Sequence, residues 1–66
     1  MIQSIIFCKK KFTLKCCENW LRLNGFAYLE RHDTEDFRQF IFMQNSTHLG
    51  HYIQSIGNGI ALIIFY

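Results

Sequence analysis

The stretch FTLKCCENWLRLNGF, residues 12–26, decides the fold because it predicts a helix with a clear beginning and end. Thr13 is a good N-cap residue, and Gly25 accepts the left-handed conformation that often follows a helix C-terminus. Between them, polar residues recur at the helical spacing i, i+3, i+4 and i+7, as Lys15, Glu18, Asn19 and Arg22. The other side of the helix is apolar, with Leu14, Cys16, Cys17, Trp20, Leu21 and Leu23. We therefore expect this apolar side to lie on a sheet.

Strands on both sides of the helix supply that sheet. Residues 2–8 are rich in the β-branched and aromatic types that strands favour. The later strand candidates are residues 26–31, 36–43, 51–56 and 60–66, separated by a polar turn at 32–36, a loop at 44–50 and the tight-turn sequence at 57–59. Glycine and asparagine accept the positive φ angles of tight turns, so Gly57-Asn58-Gly59 predicts a hairpin. The order β-α-β-β-β-β predicts one α+β domain over residues 1–66, with a single helix packed on a mostly antiparallel four- to five-stranded sheet.

The strands carry apolar residues in both alternating phases. In the first strand, Ile2, Ile6 and Cys8 share one face, and Ile5 and Phe7 share the other. In the last strand, the residues that can face the helix are Ile60, Leu62 and Ile64, which leaves Ala61, Ile63 and Phe65 on the other side. A single helix covers only one face of a sheet, so apolar residues on the second face are available to another protein. We predict partner contacts at Phe40, Phe42, Tyr52, Ile63 and Phe65.

Charge is concentrated at two places, although the net charge is only +2. The first 22 residues carry five basic residues against one acidic residue, and residues 30–38 carry four acidic against two basic. Lysines around the first turn of a helix oppose its dipole unless an anion lies nearby. Two interpretations stay open: a solvated basic turn, or a site for nucleic acid or another polyanion formed by Lys9, Lys10, Lys11, Lys15, Arg22 and Arg38.

Composition bounds the class of protein. The chain has 66 residues, of which 50% are hydrophobic and 17% aromatic, as expected of one small core. No apolar run approaches the roughly 20 residues that span a bilayer. The apolar residues at the N-terminus precede the lysines, which is the reverse of the order in a signal peptide. Three cysteines make a poor disulfide framework. We expect a protein that is neither secreted nor membrane-bound.

Histidine and cysteine side chains offer a weak case for chemistry. His48 and His51 have the spacing H-x-x-H, with Cys16 and Cys17 as further candidate ligands. Zinc sites usually pair ligands at short spacing at both ends, and adjacent cysteines on a helix point about 100° apart. Cys16 at a helix N-terminus can form a reactive thiolate, but a 66-residue core leaves no room for a substrate cleft. We predict no catalytic residue, metal, cofactor or small-molecule substrate.

Several sequence elements occur together along nearly the whole chain, from Gln3 to Tyr66. They are an opening strand Q-S-I-I-F, a threonine-capped helix ending in W-L-x-x-x-G-F, a T-E-D turn, an aromatic strand and a G-N-G-I hairpin. The matching positions are Ser4, Ile6, Phe7, Thr13, Leu14, Trp20, Leu21, Gly25, Phe26, Thr34, Glu35, Phe40, Gly57, Gly59, Ile60 and Ile64. In these elements the chain resembles a small domain family of large DNA viruses and tailed bacteriophages.

The resemblance implies a virus- or phage-encoded, non-enzymatic interaction module in the host cytoplasm or the virion. Its partner would be a viral structural protein, a host protein or another copy of the chain. Similar sequences hold a Y-R-F-R-Q pattern where this chain reads DFRQFIFM, and a lysine and a glycine in the last strand where it has Ala61 and Phe65. These departures add apolar surface, so they imply stronger assembly through the sheet and weaker polyanion binding.

Overall fold

The computed structural model describes residues 1–43 and 50–66. Its elements follow the predicted order: β1 (Ile2–Cys8), α1 (Leu14–Leu23), β2 (Glu30–Asp33), β3 (Phe37–Ile41), β4 (His51–Gly57) and β5 (Ile60–Phe65). The strands form one antiparallel sheet in the order β2-β3-β1-β5-β4, which confirms the predicted α+β fold. The predicted loop at 44–50 lies outside the described residues except for Gly50. Within the described part, no helix has the length and apolar character needed to cross a membrane.

Both ends of α1 are capped as the sequence predicts. The Thr13 hydroxyl oxygen accepts a hydrogen bond of 3.2 Å from the N–H of Cys16. At the other end, Gly25 has a φ of +79°, and the N–H of Phe26 donates to the carbonyl of Leu21 at 2.8 Å. This bond and the left-handed glycine form a Schellman motif, which turns the chain back toward the sheet.

The core lies between α1 and the central strands. Its buried apolar residues are Ile5, Phe7, Cys17, Leu21, Phe40 and Ile60. Phe7 has edge-to-face contacts with three other rings, at centroid distances of 5.2 Å to Phe12, 5.6 Å to Trp20 and 5.5 Å to Phe40. Such pairs contribute beyond the apolar area that they bury. Phe7 therefore connects the helix, the preceding turn and the sheet.

The apolar side of α1 is narrower than predicted. Cys17 and Leu21, one turn apart, are the two buried residues of the helix. Cys16 and Leu23 are exposed, Leu23 to 82%. The sheet therefore meets α1 along a stripe rather than a broad arc, and this stripe does not extend over β4, all of whose residues are exposed.

A β-bulge in β1 changes the face that Ile2 occupies. The pairing of β1 with β5 shifts between Ile2 and Ser4, so that Ile2 pairs with Ile64. Ile2 packs against the core, on the side that α1 covers. The prediction that Ile2 shares a face with Ile6 was wrong, because the bulge inserts one extra residue and inverts the alternation.

β2 begins later than the predicted strand at 26–31. Residues 26–29 precede the strand, and Phe26 packs against the core at the C-terminal end of α1. The Phe26 ring stacks on Trp20 at 6.2 Å and lies 5.1 Å from the Phe42 ring. Burial of aromatic surface here outweighs the strand preference of the sequence.

The predicted β4–β5 hairpin is confirmed, and it closes through three residues with positive φ. The φ angles are +87° at Gly57, +55° at Asn58 and +82° at Gly59. The N–H of Cys8 donates to the carbonyl of Gly59 at 2.8 Å, so the hairpin turn is bonded to the end of the central strand.

Candidate interaction surface

The face of the sheet opposite α1 forms what we call the open face. Paired residues in adjacent antiparallel strands point to the same side, and the pairs Ile5–Phe40 and Phe7–Ile60 lie under the helix. The alternate residues form the open face: Glu30, His32, Phe37, Gln39, Ile41, Ser4, Ile6, Cys8, Ala61, Ile63, Phe65, His51, Ile53 and Ser55. Among residues 1–43 and 50–66, no helix or second sheet covers this face.

The open face is largely apolar, and most of its polar side chains lie on the two edge strands. Ile41, Ile63 and Ile53 lie in one row across β3, β5 and β4, with Ser4 of β1 in the same row. Ile53 is 64% exposed, and Phe37 on β3 is 46% exposed. The two edge strands carry the polar side chains of Glu30, His32, His51 and Ser55. An apolar centre inside a polar rim is the arrangement typical of protein–protein interfaces.

The two polar residues in the middle of the open face, Ser4 and Gln39, are hydrogen-bonded to each other. Ser4 is fully buried although α1 lies on the other side of the sheet. Gln39 Nε2 donates to Ser4 Oγ at 3.0 Å. A buried hydroxyl with a partner avoids the cost of an unmade hydrogen bond. A partner can therefore cover this row without leaving the Ser4 hydroxyl unpaired.

Two of the five predicted contact residues belong to the core. Phe40 is fully buried under α1, so its prediction as a contact residue is corrected. Phe42 packs against the same core and lies 5.1 Å from the Phe26 ring, again on the helix side. The register explains the correction: Phe40 pairs with Ile5, and this pair points toward Cys17 and Leu21.

The other three predicted contact residues lie nearer to solvent but not on one surface. Ile63 and Phe65 are half-buried residues of the open face, and the Phe65 ring lies 6.2 Å from that of His51. Tyr52 is 49% exposed but points to the helix side of β4, where its ring lies 6.0 Å from that of Tyr66. The structure thus brings Ile63 and Phe65 together and separates Tyr52 from them.

Sequence reasoning missed three apolar residues of the open face: Phe37, Ile41 and Ile53. Phe37 and Ile41 share the phase of Gln39 on β3, opposite to that of Phe40. Polar residues occur in both phases of this strand, so its alternation does not identify the covered side. The covered side is identified only by the pairing of β3 with β1, in which Gln39 lies opposite Ile6 and its side chain bonds to Ser4.

The six predicted basic residues do not converge on one patch. Lys10, Lys11 and Lys15 are exposed around the N-terminus of α1, and Lys9 is half-buried there. Arg22 lies in the last turn of the helix, about 10 Å along its axis from Lys15 at 1.5 Å per residue. Its Nη2 donates to Asn19 Oδ1 at 3.1 Å.

Arg38 points into the boundary between sheet and helix. It pairs with Phe7 and Asp33 on the helix side, and its Nε and Nη1 are buried without a hydrogen-bond partner in the described part of the chain. Burial raises the pKa of the Cys17 thiol to about 11, and the positive charge of Arg38 offsets part of that rise. Cys17 is therefore a protonated core thiol at neutral pH.

We expect the adjacent thiols of Cys16 and Cys17 to react with iodoacetamide at very different rates. Cys16 is exposed, whereas Cys17 is fully buried and has a raised pKa. Iodoacetamide reacts with the thiolate, and it reaches Cys17 only when the core opens. Cys17 should therefore be alkylated more slowly than Cys16, by a factor on the order of a hundred or more. Tandem mass spectrometry of a time course distinguishes the two sites. Both should react alike in denaturant, and equal rates in the native protein would contradict this burial.

A shallow groove of about 410 Å³ lies beside the helix, away from the open face. Its lining residues are Glu18, Asn19, Leu21, Arg22, Phe26, Ala27 and Tyr28. Tyr28 Oη donates to Glu18 Oε2 at 3.2 Å. Partial burial and the Glu18 carboxylate raise the pKa of Tyr28, which keeps the phenol protonated as the donor. The Tyr28 hydroxyl and the Glu18 carboxylate of this groove are thus bonded to each other.

The predicted H-x-x-H pair is only partly within the structure. His51 is an exposed residue of β4, and His48 lies outside the described residues. In residues 1–43 and 50–66, no three His, Cys, Asp or Glu side chains are grouped closely enough to hold a metal ion.

Comparison with known proteins assigns this chain to no group: no family model, no curated protein and no solved structure matches it. The fold and the surface define its class, a small α+β domain with one helix-covered and one open sheet face.

Proposed function

We propose that the chain is a non-enzymatic protein-interaction module that binds a second protein on its open face. The apolar centre of that face is the observation that carries the proposal. Ile41 and Ile63 are half-buried on this face, and Phe37 and Ile53 on the same face are 46% and 64% exposed. Fully burying such a side chain contributes about 1.5–3 kcal/mol, so covering these four residues provides a substantial driving force for association.

The type of partner follows from the chemistry of the face. Its centre has no ionised side chain. The polar residues there, Ser4 and Gln39, bond to each other, and the other polar residues lie on the edge strands β2 and β4. A protein surface with its own apolar centre fits this arrangement, whereas a polyanion does not. The resemblance to a viral and phage domain family supports a viral structural protein or a host protein as that partner. We propose accordingly that the chain is encoded by a virus or phage.

Binding of nucleic acid or another polyanion is the competing function, and salt distinguishes the two. Phosphate-driven binding weakens steeply as salt rises, whereas apolar docking does not. Lys10, Lys11 and Lys15 remain exposed for such a ligand, but Arg38 points into the sheet–helix boundary and Arg22 is at the far end of α1. The geometry therefore favours the apolar open face.

A photo-crosslinking amino acid at Phe37 tests the proposal in cells that produce the chain. We expect discrete covalent adducts with protein at this position, because a docked partner covers it. A crosslinker at Leu23, which is apolar and 82% exposed but lies on the helix, is the matched control and should give none.

The substitution Ile41→Lys completes the experiment. It places a charge in the apolar row, while the crosslinker stays at position 37. Docking would then bury an unpaired charge, so the amount of adduct should fall at least about tenfold. The control Leu23→Lys introduces the same charge on the helix and should leave the adducts unchanged. Equal adducts from Phe37 and Leu23, or adducts that nuclease or moderate salt removes, would argue against docking on the open face.

A further inference from the structure

The two edges of the sheet differ in the way they are protected. β2 at one edge is the four-residue strand ERHD, in which Arg31 pairs with Asp33 at 3.4 Å and His32 lies 3.4 Å from Glu30. β4 at the other edge has seven residues and contains no Asp, Glu, Lys or Arg. Edge strands usually carry charges that prevent pairing with another chain. Only β2 has this protection.

The hydrogen-bonding groups on the outer side of β4 can be identified from its pairing with β5. Gly50 and Tyr66 exchange both backbone hydrogen bonds, at 3.3 and 3.1 Å. Antiparallel pairs alternate between bonded and non-bonded, so Tyr52 and Gln54 also bond to β5. The N–H and C=O groups of His51, Ile53 and Ser55 therefore point outward, and in residues 1–43 and 50–66 no strand lies beyond them.

We infer that β4 pairs antiparallel with β4 of a second copy, forming a symmetric dimer with one continuous ten-stranded sheet. This surface is the edge of the sheet, so the inference stands independently of docking on the open face. A two-fold axis at Ile53 aligns all the outward groups. Ile53 then lies opposite Ile53 of the second copy, and His51 lies opposite Ser55, so each outward N–H meets a carbonyl.

Side chains on both faces of β4 suit this register. Ile53, 64% exposed in the single chain, would be covered by its symmetric equivalent and extend the apolar row of the open face across the dimer. On the helix side, Tyr52 would lie opposite Gln54, with no like charges opposed. β2 at the other edge is only four residues long, and all four of its side chains are charged or ionisable, which opposes the addition of another strand there. We therefore expect self-pairing at β4 and not at β2. The uncharged β4 of a second copy suits this edge better than an unrelated charged strand.

Sedimentation over a range of concentrations tests the dimer directly. We expect an apparent mass of twice 7.9 kDa at high concentration, falling to 7.9 kDa on dilution. Ile53→Lys opposes two lysines at the axis and should give the mass of a single chain throughout. Ser55→Lys changes another exposed residue of the edge and gives the same readout should the first variant fail to fold. Ile41→Lys alters the open face away from β4 and should leave the dimer intact.

Cysteine crosslinking tests the register. In a Cys16→Ser background, Ile53→Cys should form a disulfide-linked dimer, because opposed residues in a bonded antiparallel pair lie about 5.5 Å apart at Cα. Ser55→Cys is the matched control and should not crosslink, since residue 55 lies opposite 51. A single chain at every concentration would overturn the inference. A dimer that is broken by Ile41→Lys but not by Ile53→Lys would also overturn it. Disulfide crosslinking at residue 55 and not at 53 would do the same, as would an edge that binds only a strand from another protein.

Discussion

Replacing Phe7 with alanine is expected to remove most of the stability of the domain. Phe7 is fully buried and contacts the rings of Phe12, Trp20 and Phe40. Truncating such a residue costs about 3–5 kcal/mol, while a domain of this length has a total stability of about 3–10 kcal/mol. Thermal unfolding followed by circular dichroism should therefore show a melting temperature lowered by tens of degrees or no cooperative transition.

Phe37→Ala is the matched control for this change. Phe37 is on the neighbouring strand β3 and is also a phenylalanine, but it lies on the open face and is 46% exposed. Its truncation should cost no more than about 1 kcal/mol. Similar losses from Phe7→Ala and Phe37→Ala would mean that the two faces of the sheet are buried alike, against the geometry described above.

Replacing Gly59 with alanine is expected to have the second largest effect. Gly59 has a φ of +82°, and a Cβ atom there would lie 3.0 Å from Cys8 Cβ and 3.0 Å from Lys11 Cδ. The left-handed backbone costs about 1–2 kcal/mol for a residue with a side chain, and the crowding against β1 adds a cost of similar size. We expect a loss of about 2–4 kcal/mol in the free energy of unfolding, measured by urea titration with Trp20 fluorescence.

Gly57→Ala separates the two costs. Gly57 belongs to the same turn and has a φ of +87°, but nothing lies within 4 Å of the position of its Cβ. Its substitution should therefore show the backbone cost alone, and the difference between the two variants measures the crowding at Cys8. An equal loss from both variants would show that the contact between the hairpin turn and β1 relaxes freely.

The helix and the element order could be predicted because their signals are local. Thr13 and Gly25 cap α1 through bonds to residues within five positions, and Gly57-Asn58-Gly59 closes a hairpin between neighbouring strands. Each such signal is complete within a few residues. The resulting α+β architecture follows, because one helix and five strands leave few ways to bury an apolar stripe.

The candidate surface was harder to predict because it depends on long-range pairing. Phe40 and Phe37 are both apolar residues of β3, and their assignment to opposite faces depends on pairing with Ile5 and Cys8, more than 25 residues away. The bulge that moves Ile2 to the helix side has no marker in the stretch IQSIIFC. Likewise, the absence of charge in β4 is visible in the sequence, but its position at an edge depends on the strand order.

The position of β1 has a consequence for how the chain folds. The first strand in the sequence is the middle strand of the sheet, and its neighbours β3 and β5 both come later. The N-terminal amine of Met1 donates to the carbonyl of Phe65 at 3.2 Å, 64 residues along the chain. The β2–β3 and β4–β5 hairpins form from nearby residues, but they join only when β1 inserts between them. Closure of this nearly chain-long loop gives the domain a high contact order for its length, so it folds more slowly and more cooperatively than a helical protein of the same size.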